Sequence, residues 1–309
     1  MDSAADAGVD TANNSQFSTV NCQLSRLRLS QMSIAMLASA LPWRSRLETK
    51  FQFSTVNQML LQHLTTGYSS RVVTTDINAS LVPGELTSLL GSNGVGKSTL
   101  LRTLCTFLPP LGGEIILQGK SVSSLSSAEL SKLIGVVLTE RPDVQNMTVR
   151  DMVSMGRSPY TGFWGRLTEE DNRYVTEAMQ LAGITSLEKR MFSTLSDGER
   201  QKVMIAKVLA QQTPVILLDE PTAFLDFPSK VEMMRLLRRL AHEMQKIIFL
   251  STHDVEMALQ LSDRLWIMHP GEVVIGKPAE LSKSGELSRF IQADGIRFDP
   301  DLMSYRITV

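Results

Sequence analysis

This chain of 309 residues is short of cysteine, of aromatics, of long apolar runs and of any surplus charge. Two cysteines, Cys22 and Cys105, are too few for a disulfide framework or a thiolate metal cluster, and both read as incidental thiols. No run of about 18 apolar residues occurs, so no hydrophobic membrane-spanning helix is written in the sequence. The 31 Lys and Arg balance 32 Asp and Glu to a net charge of −1. A phosphate backbone selects a basic surface, so nucleic acid is not an expected partner. What remains is an ordinary globular composition, 43% hydrophobic and 20% charged, neither disordered nor fibrous. The length allows one large domain or two small ones.

The first sixty residues differ from the rest. Residues 1–23 are small and polar without helical or strand period and read as disordered. The run LSQMSIAMLASAL, with Arg26 and Arg28 before it and Ala38-Ser39-Ala40 at its end, resembles a secretory signal, but it sits late and is broken by Ser30, Gln31 and Ser33. The hexapeptide QFSTVN occurs at 16–21 and again at 52–57. One repeated pair is no solenoid. The expectation is a disordered, duplicated or artefactual extension over 1–58 and a folded domain over 59–309.

From Met59 the pattern becomes alternating strand and helix. Arg71–Asn78 and Glu85–Leu90 are β-rich, with Pro83-Gly84 as a turn between them. Gly91-Ser92-Asn93-Gly94-Val95-Gly96-Lys97-Ser98-Thr99 follows, then an apolar helix expected over Leu100–Leu108 before Pro109-Pro110. Strand, glycine loop and helix are the context that G-x-x-x-x-G-K-[ST] requires. Glycines let successive N–H groups turn inward on an anion, and the helix N-terminus adds positive potential. Lys97 supplies a charge for the β- and γ-phosphates, and the Ser98 hydroxyl is a candidate ligand for Mg²⁺. The structural alternative is a glycine turn ahead of a helix.

Pro214–Glu220 (PVILLDE) is an apolar strand ending in two acids. Buried parallel strands look like this, and ligands sit at their carboxyl ends. Asp219 is a candidate Mg²⁺ ligand and Glu220 a candidate for polarising an attacking water. Leu195-Ser196-Asp197-Gly198-Glu199 opens a helix expected over Arg200–Ala210; taken alone it is a helix cap with acids in its first turn. A further apolar strand, Ile247–Leu250, leads into Ser251-Thr252-His253-Asp254, which sets His253 at the same sheet edge as Asp219.

The order of these pieces (an aromatic ahead of the first strand, glycine loop, LSxG helix start, strand-DE, strand-x-His) resembles the ATP-binding subunit of ABC transporters from about Leu60 to Val274. By that resemblance Tyr68 in TTGY is the aromatic that stacks on adenine. Gly91–Thr99 is the Walker A loop, and Val215–Glu220 the Walker B strand with its catalytic glutamate. Ala223–Asp226 is the D-loop, which adds Asp226 to the nucleotide contacts, and His253 is the switch histidine. Ser196 and Gly198 become signature residues that close over ATP held by the twin subunit. The resemblance implies ATP and Mg²⁺ as cofactors and a homodimer on integral membrane permease subunits. It also implies indirect dependence on a substrate-binding protein and a peripheral place on the cytoplasmic face of the plasma or inner membrane. The fold it implies is α/β: a P-loop NTPase core, an N-terminal antiparallel β layer and an inserted helical subdomain over 141–195.

Two positions depart from the family pattern. Thr139, followed by Glu140, stands where a glutamine is usual; Gln145 lies too far on to replace it. Asp197 and Glu199 stand where glycine and glutamine are common in the signature. Within 141–195, Thr148–Gly156 and Thr168–Gly183 read as helices, the second capped by Thr168. The loop between them carries Tyr160, Phe163 and Trp164, aromatics that either meet a permease or fold back on their own subdomain. The stretch NMTVRDMVSMGRSPYTG is similar to its equivalent in importers of iron–siderophore complexes, haem and cobalamin. Uptake of such a cargo is the expected function, with a soluble non-transport ABC ATPase or a binding-only ATP switch as alternatives.

Overall fold

The computed structural model describes residues 58–69, 71–139, 144–162, 165–291 and 295–307. The expectations for the extension, including the repeated hexapeptide, the signal-like run and Cys22, fall almost wholly outside these residues, as do Glu140, Phe163 and Trp164.

Strand β1 (Met59–Tyr68) pairs antiparallel with β2 (Arg71–Leu81). Strand β3 (Leu86–Gly91) is buried along its whole length and delivers the chain to the glycine loop and helix α1 (Lys97–Leu104). Strands β4 (Gly112–Leu117) and β5 (Lys120–Ser121) complete a four-stranded sheet in the order β2-β1-β4-β5. Helix α2 (Ser127–Leu133) leads into β6 (Ile134–Val137).

Three helices follow. They are α3 (Val149–Ser154), α4 (Glu169–Leu181) and α5 (Asp197–Ala210). Thr148, Thr168 and Ser196 cap them through reciprocal side-chain and backbone bonds with Asp151, Asp171 and Glu199, which satisfies two orphan N–H groups at each start.

The remainder alternates again: β7 (Val215–Asp219), α6 (Phe227–Met244), β8 (Ile247–Ser251), α7 (Val255–Leu261), β9 (Arg264–His269) and β10 (Glu272–Gly276). Two short helices, α8 (Pro278–Lys283) and α9 (Glu286–Phe290), precede a hairpin of β11 (Ile296–Asp299) and β12 (Ser304–Ile307). The central sheet runs β10-β9-β3-β8-β7-β6, parallel from β9 to β6 with β10 antiparallel at one edge.

The α/β class and the antiparallel β layer agree with the sequence reading. Several element bounds do not. The sequence reading places Tyr68 ahead of the first strand, whereas it ends a ten-residue strand. β1 escapes an alternation test because its register shifts between Leu61 and Gly67, with His63 at φ +49°. Helix α1 starts at Lys97 and stops at Leu104, where the expectation was Leu100–Leu108. Thr106 takes a φ of +63° and the Phe107 N–H bonds to the Arg102 carbonyl, a left-handed stop well before Pro109. Helix α5 begins at Asp197 rather than Arg200, since the cap sits at Ser196.

Three apolar clusters hold the fold. One joins α3–α6 to one face of the central sheet, and a second fills the space between the antiparallel sheet, α1 and the other face. The third lies under α7–α9 and the C-terminal hairpin. In α6, Met233, Met234, Leu236, Leu237 and Leu240 turn inward while Arg235 and Arg239 stay exposed, as its apolar stripe predicts. Cys105 is buried, and burial pushes its thiol up to about 12, which makes it an inert packing residue.

Candidate functional site

β3, β7 and β8 are neighbours in the sheet although far apart in sequence, so their carboxyl ends bring Gly91, Asp219 and Ser251 to one edge. The glycine loop leaves that edge under tight steric control. Gly96 has φ +118°, and a Cβ there would sit 2.0 Å from Val73 Cγ1, so no larger residue fits between the loop and β2. Lys97 is 7% exposed, and its Nζ donates to the carbonyls of Gly91 (2.8 Å) and Ser92 (3.1 Å). Burial pulls the Lys97 pKa down, while the nearby charges of Glu220 and Asp219 oppose that shift. Ser98 is exposed at the first turn of α1, whereas Thr99 is buried.

Beside the loop lies an open cleft lined by Tyr68, Arg71, Val72, Gly94, Gly96 and Gly271 among others. Tyr68 is 47% exposed at its mouth, an aromatic face free to stack. Tyr68 and Gly94, Val95, Gly96 and Thr99 therefore share one concave surface. Arg71, Val72 and Gly271 line it too, and no motif signals them.

The acids stand at the end of β7. Asp219 Oδ1 accepts a 2.6 Å bond from the Ser251 hydroxyl, and the Glu220 N–H donates to the same hydroxyl at 3.0 Å. Glu220 has φ +48°, a left-handed conformation that a residue with a Cβ adopts only when its surroundings hold it there. His253 Nε2 lies 2.5 Å from Glu220 Oε1, an imidazole–carboxylate pair at the sheet edge. The next residue, Asp254, accepts from Thr222 Oγ1 and pairs with Lys230, both at 3.0 Å, which ties the histidine loop to the turn after β7. Thr139 Oγ1 donates to the Asp219 carbonyl at 2.8 Å. The proton of this hydroxyl is thereby committed to the neighbouring strand.

Ser196 and Gly198 do not line the Tyr68 cleft. Gly198, in the first turn of α5, has no positive φ, and a Cβ there would meet Ser229 Oγ at an ordinary 3.7 Å. Glycine inside a helix is unfavourable by about 1 kcal/mol against alanine, and among the described residues nothing requires it at this position. Asp226 caps α6 by accepting the Ser229 N–H at 3.2 Å, and hydrogen bonding from Ser229, its side chain first and then this N–H, holds the carboxyl below the usual range. Ser229 thus sets the starts of α5 and α6 side by side. Asp197 lines a second cleft with Thr139, Arg200, Glu220 and Phe224.

The donor set suits a magnesium nucleotide. The Ser98 hydroxyl and the Asp219 carboxylate are hard oxygen donors of the kind Mg²⁺ takes, next to a lysine suited to phosphate charge.

Comparison with known proteins agrees with this geometry. The family model described as ABC transporter matches residues 74–223. An uncharacterized ABC transporter ATP-binding protein of Methanocaldococcus jannaschii is 43% identical over 223 residues, 72% of this chain and 77% of the relative. The petrobactin import ATP-binding protein of Bacillus anthracis is 37% identical, covering 73% and 82%. The iron(3+)-hydroxamate import ATP-binding protein of Bacillus subtilis is 34% identical, covering 77% and 89%. Among solved structures, cbiO1 of Clostridium perfringens, part of the ABC transporter complex cbiONQ, aligns with a TM-score of 0.65 at 32% identity over 75% of this chain and 92% of that one. The dimeric bacterial ABC transporter cassette MJ0796 aligns with a TM-score of 0.61 at 27% identity over 71% and 98%. The chain belongs to the ATP-binding proteins of ABC transporters, and the reaction it carries out is the hydrolysis of ATP.

Proposed function

We propose that this ATPase drives uptake of an iron–siderophore complex, or a similar metal chelate, through a separate membrane permease. Two of the relatives named above are import proteins for petrobactin and for iron(3+)-hydroxamate. The NMTVRDMVSMGRSPYTG stretch supports the same cargo class. In this reading the ATPase domain spans 59–309 with a helical subdomain over 141–195, and residues 1–58 are an extension ahead of it.

Tyr68 stacks on adenine, and Gly91–Thr99 wraps the phosphates with Lys97 as their counter-charge. Ser98 and Asp219 hold Mg²⁺, which supplies neutralisation of charge developing on the transferred phosphoryl group. Glu220 takes up a proton from the attacking water, and His253, at 2.5 Å, fixes the direction of that carboxylate. Ser196, Gly198 and Asp226 serve the nucleotide of a second copy. In this reading the phosphates of the second copy's nucleotide meet the N–H groups of the first turn of α5 at Gly198. ATP closes the pair, hydrolysis reopens it, and the chain works as a peripheral protein on the cytoplasmic face of the membrane. Among the described residues no helix is long and apolar enough to cross a membrane.

The observation that carries the reading is the convergence of Lys97, Asp219, Glu220 and His253 at one sheet edge. The test is recovery of tagged Glu220→Gln protein from detergent-solubilised native membranes with Mg-ATP. A co-purifying multi-span permease is expected. Recovery only from the soluble fraction with ribosomes, DNA or nothing bound would overturn transport.

A further inference from the structure

We infer that Thr139 and Ser251 are positioning residues for hydrolysis, acting by clamping the peptide group that joins Asp219 to Glu220. The inference rests on the reading of Glu220 as the carboxylate that polarises water.

That peptide is gripped from both sides. Its carbonyl, on Asp219, accepts the Thr139 hydroxyl at 2.8 Å from the end of β6. Its N–H, on Glu220, donates to the Ser251 hydroxyl at 3.0 Å from the end of β8. Ser251 is fully buried and spends its own proton on Asp219 Oδ1 at 2.6 Å, so one hydroxyl orients both the carboxylate of Asp219 and the amide of the next residue. The backbone ladder has run out at this point: Val137 opposite Leu218 is the last pair of β6 with β7, and Asp219 opposite Ser251 the last of β7 with β8. Two side chains continue it by one more peptide.

The clamp matters because Glu220 sits at φ +48°. A residue with a Cβ returns to negative φ when released, and rotation of the Asp219–Glu220 peptide is the simplest route. Such a rotation re-aims the whole Glu220 side chain and separates it from His253. It leaves Tyr68, the glycine loop and Lys97, which stand on other elements, in place. A longer glutamine at position 139 would extend beyond the Asp219 carbonyl, whereas the short hydroxyl meets it. The threonine that departs from the family pattern is thereby given a task.

The experiment uses the full chain. Thr139→Val keeps the shape and removes the donor; Thr139→Ser keeps the donor. Steady-state ATPase, equilibrium binding of a fluorescent ATP analogue and the melting temperature are measured for each. Thr139→Val is expected to lower kcat about tenfold while KM and the analogue's Kd stay within about twofold, and Thr139→Ser is expected to restore kcat. Ser251→Ala, which removes both of that residue's contacts, is expected to lose at least as much and carries the test if Thr139→Val does not fold. Wild-type kcat in Thr139→Val, loss of kcat and ATP affinity in equal proportion, or failure of Thr139→Ser to rescue would overturn the clamp. Glu220→Gln in the same assay separates the two levels. If it turns over like wild type, the reading of Glu220 itself fails. If it is inactive beside a fully active Thr139→Val, only the clamp fails.

Discussion

Glu199 shows how an acid replaces the more common glutamine in the signature without penalty. Its Oε2 accepts the Ser196 N–H at 2.8 Å, its own N–H returns to Ser196 Oγ, and Oε1 pairs with Arg190 at 2.9 Å. These contacts, the Ser196 amide first, hold its carboxyl below the usual range. Asp197 lies in the first turn of the same helix, where the dipole favours a carboxylate, and it opens on the cleft it shares with Glu220. A carboxylate beside a triphosphate opposes its charge, so Asp197→Gly is expected to leave ATPase activity at or above wild type. A loss of tenfold or more in steady-state turnover would give Asp197 a role of its own. Legibility at this scale divides by chemistry. Lys97, Asp219, Glu220 and His253 announce themselves because charge or imidazole at a strand end has few structural uses. Ser251 does not, and Thr139 stands out only as a departure from the family pattern, because a hydroxyl acquires meaning only from its neighbours, and β6, β7 and β8 become neighbours through the crossovers of the sheet.

Among the elements, both helices over 141–195 were legible, the second from its cap Thr168; the structure closes a capping box there with Asp171, and a matching one at Thr148 with Asp151. What holds them to α5 was not readable. Arg157 is 4% exposed and donates to Asp171 (2.8 Å) and to the Ala210 carbonyl (2.8 Å) at the end of α5. Its guanidinium stacks on the rings of Tyr160 and Tyr174 at 4.0 and 4.5 Å. Tyr160 in turn donates to the Gln211 carbonyl at 3.0 Å. Of the two uses open to this loop's aromatics, Tyr160 serves its own subdomain. Removing one partner of a buried ion pair strands the other, at about 3–5 kcal/mol. Arg157→Met is therefore expected to lower the unfolding free energy by about 3 kcal/mol, measured by urea denaturation, and a change below about 1 kcal/mol would show that neither the ion pair nor the guanidinium stacking fastens this joint.

At the scale of the whole molecule the central sheet has a chemical end and a structural end. Asp219, Ser251 and the glycine loop occupy the carboxyl ends of the strands, while Thr213 and Lys246 sit where β7 and β8 begin. The first end is legible because its residues are of unusual type. The second is not, since a lysine just before a strand reads as a solvated turn residue. Lys246 is instead 6% exposed, with its Nζ 2.5 Å from the Thr213 carbonyl, and burial pulls its pKa down to about 8. In the unfolded chain the same amine titrates near 10.4. Between these values the unfolded state binds more protons, so stability rises with pH through that window, and below about 8 the folded chain carries the full cost of a buried ammonium. The cost is at most about 3 kcal/mol. Lys246→Met fills the site without a charge. Its stability relative to wild type is expected to be greatest at pH 7 and to shrink as pH rises to 10, with turnover unchanged because the substitution lies at the far end of the sheet. Urea denaturation of both proteins at pH 7, 8, 9 and 10 measures the difference directly, and a pH-independent difference would mean that Lys246 keeps its charge by reaching water.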